Sequence, residues 1–195
     1  MLNTQYIKKI QKDLHEFAEI RLELIKNCGD ALHISKRAIF DMHRGDLNEA
    51  KEKISKAEKI LKNIYKKYSR NKKVFEEGSY KAAVEEYVEA SLFYQFIKTG
   101  KIGKVISFSV ESEVYLAGLC DVPGELYRYA IRSASEKDYE MVEKCVLGAE
   151  EIIGELIEFD FTKYLRVKFD QAKQARNKLE IVQYELSLRQ SDRIA

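Results

Sequence analysis

The sequence is short of residues that turn a chain sharply or cross-link it. One proline and nine glycines among 195 residues leave little turn chemistry for a fold of many strands. The three cysteines, Cys28, Cys120 and Cys145, are odd in number and widely spaced, which indicates neither a disulfide framework nor a zinc site. No apolar run approaches the roughly 18–20 residues that span a membrane. The polar residues 1–12 do not resemble a secretory leader. We therefore expect an all-α, cytoplasmic protein that does not enter a membrane.

Charged residues are abundant, and they are segregated along the chain. Lys and Arg number 34 and Asp and Glu number 32, so the formal net charge is only +2. Residues 51–73 carry a net charge of +8, residues 76–160 carry −10 and residues 161–195 carry +4. This pattern permits a basic surface for a polyanion and a separate acidic site in one molecule. The alternative is that these charges simply form the solvated faces of surface helices.

Apolar residues recur at helical spacing along most of the chain. Between residues 47 and 68 they alternate at intervals of three and four, which is the stripe of an amphipathic helix. Helices are predicted at about residues 3–27, 31–44, 46–69, 79–98, 110–133, 136–158 and 160–189. Gly29 and Asp30 are the only break between the first two, which leaves one bent helix as an alternative. Because no segment is typical of a linker, the sequence predicts one domain over residues 1–195, a bundle of about seven helices.

Two pairs of acidic residues interrupt helical stripes that are otherwise apolar. Glu86 and Glu89 are three residues apart in the fourth predicted helix and share one face. Asp121 and Glu125 are one turn apart in the fifth predicted helix. Like charges at these spacings repel, so a positive group such as a divalent cation is expected near them. Alternatively, Glu86 and Glu89 are solvated and Glu125 forms an ordinary ion pair with Arg128.

The stripe around Asp121 contains further informative residues. Gly118 would let a neighbouring helix or a ligand approach the backbone closely. Pro123 either kinks the helix or follows a new helix start that is capped by Asp121. Arg128 and Arg132 continue the stripe. Guanidinium groups that clamp phosphate, beside carboxylates that gather a hard cation, are the groups that phosphodiester hydrolysis needs.

Several segments, in order along the chain, resemble motifs of the translin family and of its catalytic branch, translin-associated factor X. Residues 35–44 resemble S-K-R-x-I-F-x-x-H-R. Residues 86–90 and 96–99 resemble E-Y-V-E-A and F-I-K-T, and residues 118–128 are similar to G-V-A-D-L-T-G-E-L-M-R. Residues 184–189 resemble the Y-D-L-S-I-R of translin.

The resemblance implies an all-α fold of about seven helices that assembles into hollow octamers. These would consist of this chain alone, as a homo-octamer, or of this chain with a second, translin-like chain. Single-stranded RNA is the implied ligand, with DNA or short duplex RNA as alternatives. The catalytic branch is a Mg²⁺-dependent endoribonuclease. Its catalytic and metal-binding carboxylates match Glu86, Glu89 and Asp121 here, and the neighbouring acid matches Glu125; Mn²⁺ is an alternative cation. Translin itself lacks the paired glutamates and is non-catalytic, so the presence of both Glu86 and Glu89 places this chain with the enzyme. The alternative is a non-catalytic protein of translin type that binds single-stranded RNA or DNA.

Basic residues near these motifs are the candidate nucleic-acid contacts. Arg128 matches the family arginine that follows G-E-L, and Arg132 is added because it continues the same helical stripe. Lys36, Arg37 and Arg44 belong to the first motif. For these three residues, simple surface charges are the alternative interpretation.

Overall fold

The computed structural model describes residues 2–105 and 107–191, and the regular elements of these residues are all helices. The helices are α1 Thr4–Arg44, α2 Leu47–Lys67, α3 Lys72–Glu76, α4 Gly78–Thr99, α5 Ser112–Ser135, α6 Tyr139–Leu156 and α7 Lys163–Ser191. The all-α prediction is confirmed. The predicted domain ends, residues 1 and 195, lie outside the described residues.

The two helices α4 and α5 form the centre of the bundle. Helix α4 packs against α1, α2, α3 and α5, whereas α5 packs against α4, α6, α7 and the end of α1. Large side chains from most of the long helices fill the core without exposure to solvent: Leu24, Met42, Leu61, Leu92, Phe93, Leu126, Leu156 and Leu179. Side chains on facing sides of α4 and α5 are therefore shielded by helices on several sides.

Helix α1 is continuous over 41 residues, so the prediction of two separate helices is wrong and the single-helix alternative is correct. Asn3 begins it by accepting a hydrogen bond from the backbone N–H of Tyr6, and Gly45 ends it in the left-handed region at φ 85°. A glycine inside a helix costs about 1 kcal/mol relative to alanine. Buried neighbours on both sides of Gly29, including Cys28 and Ala31, pack into the core and offset this cost.

Two further details differ from the helices predicted from the sequence. The short helix α3 was not predicted, because five residues show no helical periodicity. Helix α5 runs through Pro123 without a break, although proline cannot donate a hydrogen bond to the carbonyl one turn earlier. A new helix start capped by Asp121 is therefore wrong. Within residues 2–105 and 107–191, every helix falls short of the length or the hydropathy needed to cross a membrane.

Candidate functional site

The carboxylates predicted from the sequence lie near one another between α4 and α5, which approach closely at Gly118. A Cβ atom placed on Gly118 would lie 2.8 Å from the backbone oxygen of Glu85 and 2.8 Å from Cγ1 of Val88. Only glycine permits this approach, because real Cβ atoms do not come so near to a carbonyl oxygen. Asp121 follows Gly118 by about one turn and is therefore carried towards the glutamates of α4.

Glu89 lies innermost in this carboxylate cluster, which we define as Glu86, Glu89, Asp121 and Glu125. Only 8% of Glu89 is exposed. Burial raises the pKa of Glu89 well above its usual value of 4.5, and the negative charges of Asp121, Glu86 and Glu125 raise it further. Among the described residues, none forms a hydrogen bond or an ion pair with its carboxylate. Glu89 is thus a buried acid without a direct partner.

Glu86 and Asp121 are each half-buried and each has one cationic partner. Burial raises the pKa of Glu86, and the ammonium of Lys36, 3.6 Å away, opposes this rise. Burial also raises the pKa of Asp121, which is opposed by a hydrogen bond from the ammonium of Lys168. The interpretation of Glu86 and Glu89 as solvated surface acids is therefore wrong, because packing against neighbouring helices shields both.

Glu125 differs from the other three acids in its surroundings. Burial acts to raise its pKa, but a hydrogen bond with the ring of His43 and the charge of Arg128 outweigh burial and lower the pKa. Arg128 donates to both carboxylate oxygens of Glu125 at 3.0 Å, so the ordinary ion pair considered from the sequence does form. The ring of His43 packs 5.2 Å from the ring of Phe93, measured between centroids. Glu125 is therefore held as an ionised carboxylate in a fixed orientation.

Lys168 enters the site from the distant helix α7. Its ammonium forms ion pairs with Asp121 of α5 and, at 2.8 Å, with Glu85 of α4. Burial acts to lower the pKa of Lys168, but the hydrogen bonds to Asp121 and Glu85 outweigh it and raise the pKa. The hydroxyl of Tyr164, one turn earlier in α7, donates to Glu85 at 2.8 Å. The ammonium of Lys168 thus links α7 to both α4 and α5.

The five basic residues predicted to contact nucleic acid lie at different distances from the carboxylate cluster. Lys36 and Arg128 lie directly on it through Glu86 and Glu125. Arg132 instead donates to Glu136 at 2.7 Å, beside the end of α1. Arg44 lies 3.8 Å from Asp46 and its guanidinium sits over the Phe40 ring.

Arg37 is the fifth of these basic residues. Its side chain is exposed on α1 and makes no ion pair within the described part of the chain. Two of the five predicted contacts therefore border the carboxylate cluster directly.

The donor atoms of the carboxylate cluster suit a hard divalent cation. All are carboxylate oxygens, which Mg²⁺ and Mn²⁺ prefer, and they are shielded from solvent with mutual repulsion between them. In the described part of the chain, no three acidic, histidine or cysteine side chains stand close enough to hold a metal ion as they are placed. Lys36, His43 and Lys168 engage three of the four carboxylates instead. The residues fit the cation by their chemistry, and binding requires some of these contacts to loosen.

Three residues of this site were not singled out from the sequence. His43 belongs to the motif at residues 35–44, and neither Lys168 nor Tyr164 lies in a motif. The spacing of four between Tyr164 and Lys168, which places both on one face of a helix, is the one signal that could have drawn attention to them. Their link to Glu85 and Asp121 depends on tertiary packing and has no local signature.

The fold is similar to solved structures of C3PO proteins. A complex of AfC3PO with duplex RNA and a crystal structure of AfC3PO each superpose with a TM-score of 0.83 at 27% identity, covering 94% of this chain and 97% of the other. The crystal structure of apo-NeC3PO gives a TM-score of 0.81 at 22% identity, covering 93% of this chain and 96% of that one.

Sequence comparison gives the family. No curated protein matches the chain in sequence. The profile described as the Translin family matches residues 19–190, which include all four carboxylates and Lys168. The extent of this match, together with the shared all-helical fold, shows that the chain belongs to the translin family.

Proposed function

We propose that this protein is a Mg²⁺-dependent endoribonuclease that cleaves single-stranded RNA inside an oligomeric cage, as in the catalytic branch of the family. The observation that carries the proposal is the grouping of four carboxylates between α4 and α5, near enough for three of them to raise the pKa of Glu89, which is buried and has no direct partner. A burial of this kind is costly for a structural protein. A bound divalent cation would neutralise the cluster and offset the cost of burying these acids.

Each residue of the site has a distinct role in this proposal. Glu86, Glu89 and Asp121 would hold Mg²⁺ or Mn²⁺, and Glu125 would serve as a further ligand or orient a water molecule. When bound, the cation supplies Lewis-acid activation of water and stabilises charge at the scissile phosphate. Because its pKa is lowered, Glu125 is ionised at neutral pH and can accept a hydrogen bond from a water molecule.

RNA is proposed as the substrate class from two observations. AfC3PO, which shares the fold and 27% of the sequence, forms a complex with duplex RNA. Lys36 and Arg128 border the carboxylate cluster, and 57% of the Arg128 side chain is exposed, so both cations are placed to bind phosphates next to the site. Arg132, Arg37 and Arg44 would extend this contact along α5 and α1.

A non-catalytic RNA- or DNA-binding protein of translin type is the second candidate. Two observations favour it: Asp121 is paired with Lys168, and no three acidic side chains of the described residues lie close enough together to hold a metal ion. A protein of this kind would bind RNA and leave it uncut in Mg²⁺.

Cleavage of labelled RNA distinguishes the two candidates. Purified protein is incubated with single-stranded and duplex RNA, in Mg²⁺ or in EDTA. The proposal expects cleavage of the single strand in Mg²⁺ only, and expects Glu86→Ala and Asp121→Asn to abolish it while RNA binding and assembly remain. Cleavage that persists in EDTA or in both variants would overturn the site assignment. Bound, intact RNA in Mg²⁺ would establish the second candidate.

A further inference from the structure

Lys168 of α7 is more deeply buried than the other two basic side chains that border the cluster, Lys36 of α1 and Arg128 of α5. Its side chain is only 15% exposed, and its ammonium also lies 5.5 Å from the centre of the Tyr164 ring. An exposed ion pair does little to fix a long lysine side chain, because water solvates the charges. The ammonium of Lys168 is instead shielded from water and paired with two carboxylates. Its position is therefore set by the two carboxylates that it bridges.

The two carboxylates depend on Lys168 to different degrees. Glu85 also accepts a hydrogen bond from the hydroxyl of Tyr164. Asp121 has no other hydrogen bond or ion pair within the described residues. Loss of the ammonium would leave Asp121 as a half-buried carboxylate with no partner, close to three other acids.

We propose that Lys168 is a built-in counter-ion that competes with a divalent cation for the carboxylate of Asp121. It is a positioning residue: it stabilises the cation-free protein and sets how tightly the site binds metal. This inference rests on the proposed function, since it assumes that Asp121 is a ligand.

Coulomb's law gives the direction of the effect. With Lys168 in place, an approaching divalent cation meets a fixed positive charge and a ligand that is already engaged. Without this charge, cation affinity rises and the cation-free protein loses stability, because the repulsion among the acids is no longer balanced. The same substitution therefore has opposite effects on the two states of the protein.

The test measures binding of Mn²⁺ alone, without RNA, by titration calorimetry of the full chain. Lys168→Met removes the charge and keeps the length of the side chain, whereas Lys168→Arg retains the charge and serves as the matched control. We expect the Kd for Mn²⁺ to fall about tenfold or more in Lys168→Met, because the substitution removes the Coulomb repulsion between the ammonium and the cation. In Lys168→Arg it should stay close to the wild-type value.

A second measurement covers the case in which Lys168→Met does not fold. Lys168→Gln keeps a donor for Asp121 without the charge, and it too should bind Mn²⁺ more tightly. In thermal unfolding, both neutral variants should melt below the wild type in EDTA, and Mn²⁺ should raise their melting temperatures more than that of the wild type. Unchanged or weaker Mn²⁺ binding in the neutral variants, tighter binding in Lys168→Arg, or no saturable binding in any of these proteins would overturn the inference.

Two further measurements show how Lys168 acts and whether the proposed function stands. In an Asp121→Asn background, Lys168→Met should improve Mn²⁺ binding much less, because the effect passes mainly through Asp121. A full effect in that background would contradict the competition for this carboxylate. RNA cleavage is scored separately, so tighter Mn²⁺ binding in a protein that cuts no RNA would refute the nuclease alone. Cleavage by a wild type whose metal affinity does not depend on Lys168 would refute the counter-ion alone.

Discussion

At the scale of single residues, Glu89 makes the carboxylate cluster unusual. Burial and three neighbouring acids raise its pKa well above 4.5, and the charge of Lys168 opposes this rise without a hydrogen bond or ion pair to Glu89. In the absence of metal, an ionised Glu89 therefore destabilises the fold at neutral pH. The cost disappears when the side chain is protonated, and a bound cation would remove it as well.

Replacing Glu89 with glutamine should therefore stabilise the metal-free protein. In EDTA near neutral pH we expect Glu89→Gln to raise the free energy of unfolding, because glutamine has a similar size and lacks the charge that burial and the neighbouring acids disfavour. A raised pKa lowers stability only where the acid is ionised. The advantage should accordingly grow as the pH rises from the usual value of 4.5 and vanish below it.

Thermal unfolding as a function of pH checks this expectation. Glu143→Gln is a matched control, because Glu143 is exposed on α6 and should give no comparable gain. If Glu89→Gln were less stable than the wild type at neutral pH in EDTA, the carboxylate of Glu89 would have a favourable partner, and its description as a buried acid without one would be wrong.

At the scale of elements, the site depends on how closely α4 and α5 approach. Gly118 lies at their contact, where a methyl group would collide with the backbone of Glu85. Gly124 lies in the same helix, and a Cβ atom there would meet no heavy atom within 4 Å. Substituting each glycine with alanine therefore distinguishes the effect of a clash between helices, at Gly118, from the effect of helix propensity alone, at Gly124.

Gly118→Ala should lower the free energy of unfolding by about 1–3 kcal/mol, because two helices must move apart to admit the methyl group. Gly124→Ala should be neutral or stabilise the protein by up to about 1 kcal/mol, as expected for alanine in a helix. Chemical denaturation of both variants measures the difference. Equal stability of the two variants would show that α4 and α5 are not in the contact described here.

Elements and their contacts also show what the sequence can and cannot predict. Periodicity placed Glu86 and Glu89 on one helix face and Asp121 and Glu125 on another, because i, i+3 and i, i+4 spacings depend on local geometry alone. It could not establish that α1 continues through Gly29, since packing on both sides of this residue decides the outcome. The contact between Lys168 and Asp121 could not be predicted for a related reason. The two residues are 47 positions apart in sequence, and the packing of the bundle brings them together.

At the scale of the whole molecule, many large apolar side chains remain exposed. On α1 they include Tyr6, Ile7, Ile10, Leu14 and Leu22, and on α7 they include Val167, Ile181, Tyr184 and Leu188. Exposed apolar side chains in such number are typical of a surface that contacts another chain. Together with the family membership, this favours assembly into an oligomer, which we propose to be an octamer.

Charge placed on the exposed face of α1 should break the assembly. Ile10 and Leu14 are 37% and 65% exposed and lie one turn apart, so Ile10→Glu with Leu14→Glu places two charges in the expected contact. Gln11→Glu adds charge to an exposed residue of the same segment and is the control. Mass photometry should find the wild type and the control near eight times the chain mass of 22.7 kDa, and the double variant at smaller masses. A monomeric wild type, or an unchanged double variant, would contradict this role of α1.

If the carboxylate cluster cuts RNA with a divalent cation, as we propose, a matched pair of variants should separate cleavage from RNA binding. Single-turnover cleavage of labelled single-stranded RNA is measured in Mg²⁺ for Glu89→Gln and Glu143→Gln, with RNA binding measured in parallel. We expect Glu143→Gln to cut like the wild type, and Glu89→Gln to bind RNA equally but to cut it at least about 100-fold more slowly. Cleavage by Glu89→Gln at the wild-type rate would contradict a catalytic role of the carboxylate cluster.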